Sequence, residues 1–180
     1  MAQVYLSIGS NIERKKHVIA SLDALAENFG ELMLSSIYES EAVGFDGENF
    51  YNLVVGIDTA MSVGELSLCL RKIEHKNGRL RSGVKFSPRT LDIDILTYNQ
   101  VNGEVDGIVL PRYEVVHNAF VLQPLAEIAP TDIHPKLLIS YADLWAGYDK
   151  SQQKLWTVDF IWRKKLISRC SDPRDHSLAQ

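Results

Sequence analysis

Two aspartates one residue apart, Asp92 and Asp94, are the side chains whose type and spacing most directly suggest chemistry. From Thr90 onward the chain alternates as a half-buried strand does, with Leu91, Ile93 and Ile95 on one face and Thr90, Asp92 and Asp94 on the other. Two residues of strand rise put the aspartate Cβ atoms roughly 6–7 Å apart. Carboxylates that close repel unless a cation sits between them, and Mg²⁺ with oxygen ligands is the usual solution. An ordinary strand with a wet acidic face shows the same pattern, so the pair alone does not decide.

The upstream flank adds the missing charge. Of the 12 Lys and Arg residues in positions 1–149, seven lie between Arg71 and Arg89, with Glu74 the one acid among them. Arginines for phosphate oxygens running into carboxylates for metal are what a polyphosphate with its Mg²⁺ requires. Pro88 withholds a ladder N–H just before the strand, so Arg89 enters from a turn. A solvated basic loop is the bland alternative; an ATP–Mg²⁺ site accounts for both halves of the pattern.

The elements that must position these groups follow from periodicity and punctuation. Val4–Ile8 is a short apolar strand ending at Gly9-Ser10-Asn11. Val18, Leu22, Leu25 and Phe29 recur at helical spacing, and Gly30 stops that helix. Leu32–Tyr38 reads as a second strand and Glu39–Asn49 as a mobile loop. Phe50–Asp58 is a third strand, with Tyr51, Leu53, Val55 and Ile57 facing a core and Phe50 and Asn52 pointing away. Ser62-Val63-Gly64-Glu65 is a capping box; it opens a helix with a buried stripe of Leu66, Cys69, Leu70 and Ile73, closed by Gly78. A fourth strand, Leu91–Tyr98, runs toward Asn102-Gly103, a hairpin signal, and returns along Ile108–Leu110. Short helices are expected over Phe120–Ile128 and Ser140–Ala146.

Strand–helix–strand–strand–helix–strand is the split βαβ plan: an α+β, ferredoxin-like antiparallel sheet with both helices on one face, followed by C-terminal additions. Residues 1–156 read as one domain and 157–180 as an extension. Trp156, Val158, Phe160 and Trp162 alternate there, predicting one extra strand, with a flexible basic end from about Ser168 and the option of a homodimer through the strand. The net charge of −4 argues against a general nucleic-acid binder, and no strand carries the aromatic RNA-binding signature. No apolar run approaches a membrane span, no signal peptide is recognisable, and Cys69 and Cys170 form no disulfide framework, so a cytoplasmic location is expected.

From about Val4 to Trp156 the chain resembles the 6-hydroxymethyl-7,8-dihydropterin pyrophosphokinase family, which transfers diphosphate from ATP to a pterin alcohol in folate synthesis. The resemblance rests on Gly9-Ser10-Asn11, Phe50-Tyr51-Asn52, Ile73-Glu74 with Gly78-Arg79-Leu80-Arg81, and above all Pro88-Arg89-Thr90-Leu91-Asp92-Ile93-Asp94. It implies two Mg²⁺ ions on Asp92 and Asp94. It implies catalytic phosphate handling by Arg79, Arg81 and Arg89, with ATP contacts also from Glu74, Arg112 and Tyr113. For the pterin it implies Asn52 on the hydrogen-bonding edge, Phe50 and Phe120 on the ring faces, and the backbone of Ser40 to Val43 completing the pocket. Plain core packing is the competing reading for the two phenylalanines. The chain departs from the family's usual residues at Phe86, Ser87, Arg112, Asn118, Glu41 and Ala42. A relative that binds nucleotide or pterin with little turnover, or acts on another pterin alcohol, is therefore the alternative.

Overall fold

The computed structural model describes residues 1–42, 47–78 and 90–171. Strand β1 (Ala2–Ser10) sits inside the main sheet. Helix α1 (Arg14–Phe29) buries Val18, Leu22 and Leu25 completely, and it ends where the Gly30 N–H reaches the Ala26 carbonyl at a φ of 77°. In place of one strand over 32–38 there are two pieces, β2 (Met33–Leu34) and β3 (Tyr38–Ser40). Ser35 breaks the strand: its N–H donates to the Val54 carbonyl, while the Val54 N–H donates to the Ser35 hydroxyl at 2.9 Å. A side chain has taken over one rung of the ladder. Because β3 includes Glu39 and Ser40, the loop expected from Glu39 begins only after Ser40.

Strand β4 (Phe50–Thr59) lies between β1 and β3. Helix α2 (Val63–Lys76) opens on the expected capping box: the Glu65 N–H donates to the Ser62 hydroxyl and the Ser62 N–H to the Glu65 carboxylate. Strand β5 (Asp92–Tyr98) pairs with β1. The order is β5-β1-β4-β3 with every neighbouring pair antiparallel, and β2 lies beside β4 as well. This is the split βαβ arrangement, with α1 and α2 over one face.

The hairpin after β5 turns at a different dipeptide from the one expected. Strands β6 (Gly103–Val105) and β7 (Ile108–Leu110) are joined by Asp106-Gly107, whose φ values of 51° and 77° are those a two-residue primed turn requires. The Asp106 carboxylate also accepts the Gly64 N–H at 2.8 Å, which docks the turn on the first turn of α2.

The C-terminal additions cover the other face. Helices α3 (Glu114–His117), α4 (Ala119–Ile128) and α5 (Tyr141–Ala146) bury Val115, Val121, Leu122, Leu125 and Tyr141 against Tyr5, Val54 and Leu96 of the sheet. Beyond them, strand β8 (Leu155–Thr157) extends the sheet by pairing with β3. The single strand expected over 156–162 is interrupted at Val158, whose N–H donates to the Ile37 carbonyl. A separate hairpin follows, β9 (Phe160–Trp162) with β10 (Lys165–Ser168). Phe160 is buried in the first core, edge-on to Tyr51. Ser168, where a loose end was expected to begin, is buried and accepts the Ile37 N–H at 2.9 Å.

Candidate active site

The two central strands and the edge strand bring the chemistry-bearing residues into rows. Gly9 of β1 faces Asn52 of β4 on one side and Asp92 of β5 on the other; two residues along, Ser7 faces Val54 and Asp94. Directly opposed residues share a face, so Phe50, Asn52, Asp92 and Asp94 all project from the side of the sheet that α3 and α4 cover farther along. A Cβ on Gly9 would lie 3.6 Å from the Asn52 amide oxygen and 3.9 Å from the Phe50 ring, so the glycine keeps the middle of the row low.

The Gly9-Ser10-Asn11 turn ties down the segments on both sides. The buried Ser10 hydroxyl donates to the Thr90 carbonyl at 2.5 Å, fixing the approach to β5. The Asn11 amide donates to the Glu48 carbonyl on the approach to β4. Arg14 reinforces that approach by donating to the Glu39 carboxylate and the Asn49 carbonyl, both at 2.9 Å, while its guanidinium lies over the Tyr51 ring. Asn52 is buried, and its amide nitrogen donates to the Ser40 hydroxyl at 2.8 Å. Phe50 is half-buried at the strand's start, and Phe120 is half-buried against the second core.

At the acidic end, burial and then the neighbouring Asp92 raise the Asp94 carboxyl from 3.8 to about 6. Glu74 and Glu114 push the same way and Arg112 opposes them. Solvent still reaches 42% of the Asp94 side chain. A carboxylate crowded by like charges, yet open to solvent, is suited to taking up a cation. Among the described residues no group of three or more His, Cys, Asp and Glu side chains converges as a ready-made cage. The Asp92–Asp94 donor set therefore fits a hard divalent ion such as Mg²⁺, which draws its remaining oxygens from water and a phosphorylated substrate.

Arg112 stands beside this pair. Its backbone N–H donates to the Leu96 carbonyl, and its guanidinium lies 3.3 Å from Glu114 and 3.8 Å from Asp94. Tyr113 follows, 70% exposed, its ring stacked on His117. Glu74, at the end of α2, is buried and accepts the Ile93 N–H at 2.9 Å, bracing the edge strand between the two aspartates. Arg79, Arg81, Arg89 and Val43 lie outside the described residues. Of the other expected residues, Ser40, Asn52 and Phe50 gather at one end of the rows, and Asp92, Asp94, Glu74 and Arg112 at the other. Sequence reasoning missed the hydrogen bond from Ser10 and the Glu114–Arg112 contact. The first was signalled by a serine inside the Gly9-Ser10-Asn11 turn, the second by an acid two residues after an arginine.

The sequence and the fold both have known relatives. A model of the 7,8-dihydro-6-hydroxymethylpterin-pyrophosphokinase family matches residues 5–130. The chain is 39% identical over 135 residues to the 2-amino-4-hydroxy-6-hydroxymethyldihydropteridine pyrophosphokinase of Methylorubrum extorquens, covering 72% of this chain and 84% of that one. To the protein of the same name from Aquifex aeolicus it is 36% identical over 137 residues, 75% of this chain and 85% of the other. Among solved structures, Plasmodium falciparum HPPK-DHPS with pterin and p-hydroxybenzoate superposes with a TM-score of 0.66 at 15% identity, over 94% of this chain and 48% of that one, a likeness of fold. By the match of residues 5–130 and by its identity to these relatives, the chain belongs to the 7,8-dihydro-6-hydroxymethylpterin-pyrophosphokinase family.

Proposed function

We infer that this protein transfers the diphosphate of ATP to 6-hydroxymethyl-7,8-dihydropterin, releasing AMP, as a step of folate synthesis. The observation that carries this reading is the row Asn52–Gly9–Asp92. Two strand spacings separate its ends by roughly 10 Å, a span that a bicyclic pterin and its hydroxymethyl arm can bridge. In our reading Asn52 meets the pterin's hydrogen-bonding edge, Phe50 and Phe120 its faces, and the backbone of Ser40 to Val43 its rim. The amide of Asn52 is held in orientation by Ser40, so its pose is set before the ligand arrives.

At the other end, Asp92 and Asp94 would hold Mg²⁺, two ions in our reading, and bound metal supplies charge neutralisation at the triphosphate. Arg79, Arg81, Arg89, Arg112 and Tyr113 take the phosphate oxygens, with Glu74 holding the aspartate strand beside the nucleotide. The pterin hydroxymethyl oxygen attacks the β-phosphorus in line. The bond from that phosphorus to the α,β-bridging oxygen breaks, AMP carries the bridging oxygen away, and the alcohol proton passes to solvent. We assign residues 1–156 to this reaction and 157–180 to an extension that supports it, in a monomer or a homodimer in the cytoplasm.

A second reading, a relative with little turnover or another pterin alcohol as acceptor, is favoured by Asn118 standing where the family carries a cationic contact. Incubation with ATP, Mg²⁺ and 6-hydroxymethyl-7,8-dihydropterin separates them. AMP and pterin diphosphate in equal amounts support the transfer; ADP as the nucleotide product, or no AMP at all, overturns it.

A further inference from the structure

Helix α3 is a single turn, Glu114–His117, and one turn does not sustain itself because nucleation costs more than one backbone hydrogen bond returns. Side chains hold it. The His117 Nδ1 lies 2.8 Å from the Tyr113 carbonyl. A carbonyl can only accept, so Nδ1 carries the hydrogen. The Tyr148 hydroxyl donates to the His117 carbonyl at 3.0 Å, and the Tyr148 ring stacks on Trp145 of α5. The imidazole of His117 in turn lies flat on the Tyr113 ring, with centroids 3.5 Å apart and planes 11° from parallel. Tyr113 is 70% exposed, so this stack is what orders a ring that solvent would otherwise leave to rotate.

We propose that His117 is the positioning residue for Tyr113, with Tyr148 anchoring His117, so that the Tyr113 hydroxyl is set for the nucleotide beside Arg112 before ATP binds. The proposal rests on the reading that Tyr113 meets the ATP phosphates. Tyr148 lies beyond the 5–130 region that the family model matches, so part of the nucleotide site's support comes from outside it.

The test uses steady-state kinetics with each substrate varied, together with thermal unfolding, on His117→Ala, His117→Phe, Tyr148→Phe and Tyr113→Ala. Losing one partly exposed stack and its hydrogen bond should raise KM for ATP by about three- to tenfold in His117→Ala. KM for the pterin should stay at the parent value, and the melting temperature without ligand should fall by a few degrees at most. His117→Phe restores a flat ring and should recover most of the loss, whereas Tyr148→Phe should shift KM for ATP in the same direction by less. An unchanged KM for ATP in His117→Ala, an equal rise in both KM values, or no recovery with Phe overturns the positioning role. Tyr113→Ala with an unchanged KM for ATP overturns the phosphate assignment beneath it, a failure separate from that of His117.

Discussion

Asp94 carries the conflict that makes the site receptive. Its carboxyl is raised from 3.8 to about 6 by burial and by Asp92, with Arg112 only partly relieving it. Between these two values the folded chain holds a proton that the unfolded chain has lost. Stability contributed by this group therefore falls as pH rises through that window, and the full penalty is present above about 6. Asp94→Asn removes the penalty. Without metal, the variant should unfold at a higher temperature than the parent at pH 7.5, and the difference should shrink toward zero as pH falls toward 3.8. Its size is on the order of 1 kcal/mol once screening of a partly exposed side chain is counted. Melting curves of the two proteins across that range check it; equal stability at pH 7.5 would contradict it. Arg112 belongs to the same balance, its guanidinium lying 3.8 Å from Asp94 and 3.3 Å from Glu114.

At the scale of elements, Ser35 shows how a short polar side chain can redirect a strand. Its hydroxyl accepts the Val54 N–H in the interior of the sheet and donates to the Ser36 carbonyl. Ser35→Ala leaves the buried Val54 N–H unpaired and should cost about 1–3 kcal/mol in urea unfolding, with KM for both substrates unchanged. A loss below about 0.5 kcal/mol would mean that the backbone relaxes to recover the bond. Nothing in the periodicity around Ser35 announces this break, because a serine fits a strand pattern as well as it interrupts one. The capping box at Ser62 and the stop at Gly30 were legible because each acts within four residues. The alternation that separated Tyr51 and Leu53 from Phe50 and Asn52 was legible for the same reason, and it placed half of the candidate site. The Asp106-Gly107 turn was hidden behind the equally turn-like Asn102-Gly103; contact of Asp106 with α2, a tertiary event, selects between them. Helix α3 is too short to show a period, so neither the Arg112–Asp94 contact nor the Tyr113–His117 stack could be read from spacing.

Taken whole, the molecule is built on a six-stranded antiparallel sheet packed on both faces, and this determines where a site can open. One face is filled by α1 and α2, the other by α3, α4 and α5 over Tyr5, Val54 and Leu96. The rows that begin at Phe50, Asn52 and Asp92 lie at the end of that second face. Their supports come from distant parts of the chain: Ser10 on Thr90, Glu74 on Ile93, and Gln153 on the Ala119 N–H that starts α4. The C-terminal hairpin adds a buttress from behind. Phe160 packs edge-on to Tyr51, which lies between Phe50 and Asn52 in β4, and Trp162 donates to Asp23 of α1. Holding metal-bound ATP at Asp92 and Asp94 is the role we propose for this architecture. Its most direct test is the thermal shift given by ATP with Mg²⁺ compared with ATP and EDTA, on the parent, Asp92→Ala and Asp94→Ala. At ligand near one hundred times Kd the parent should gain about 2.7 kcal/mol from the metal-bound nucleotide. In either variant that Mg²⁺-dependent gap should nearly vanish and AMP production collapse, while stability without ligand holds or rises. Both variants keeping the full gap and the parent rate of AMP formation would contradict the account.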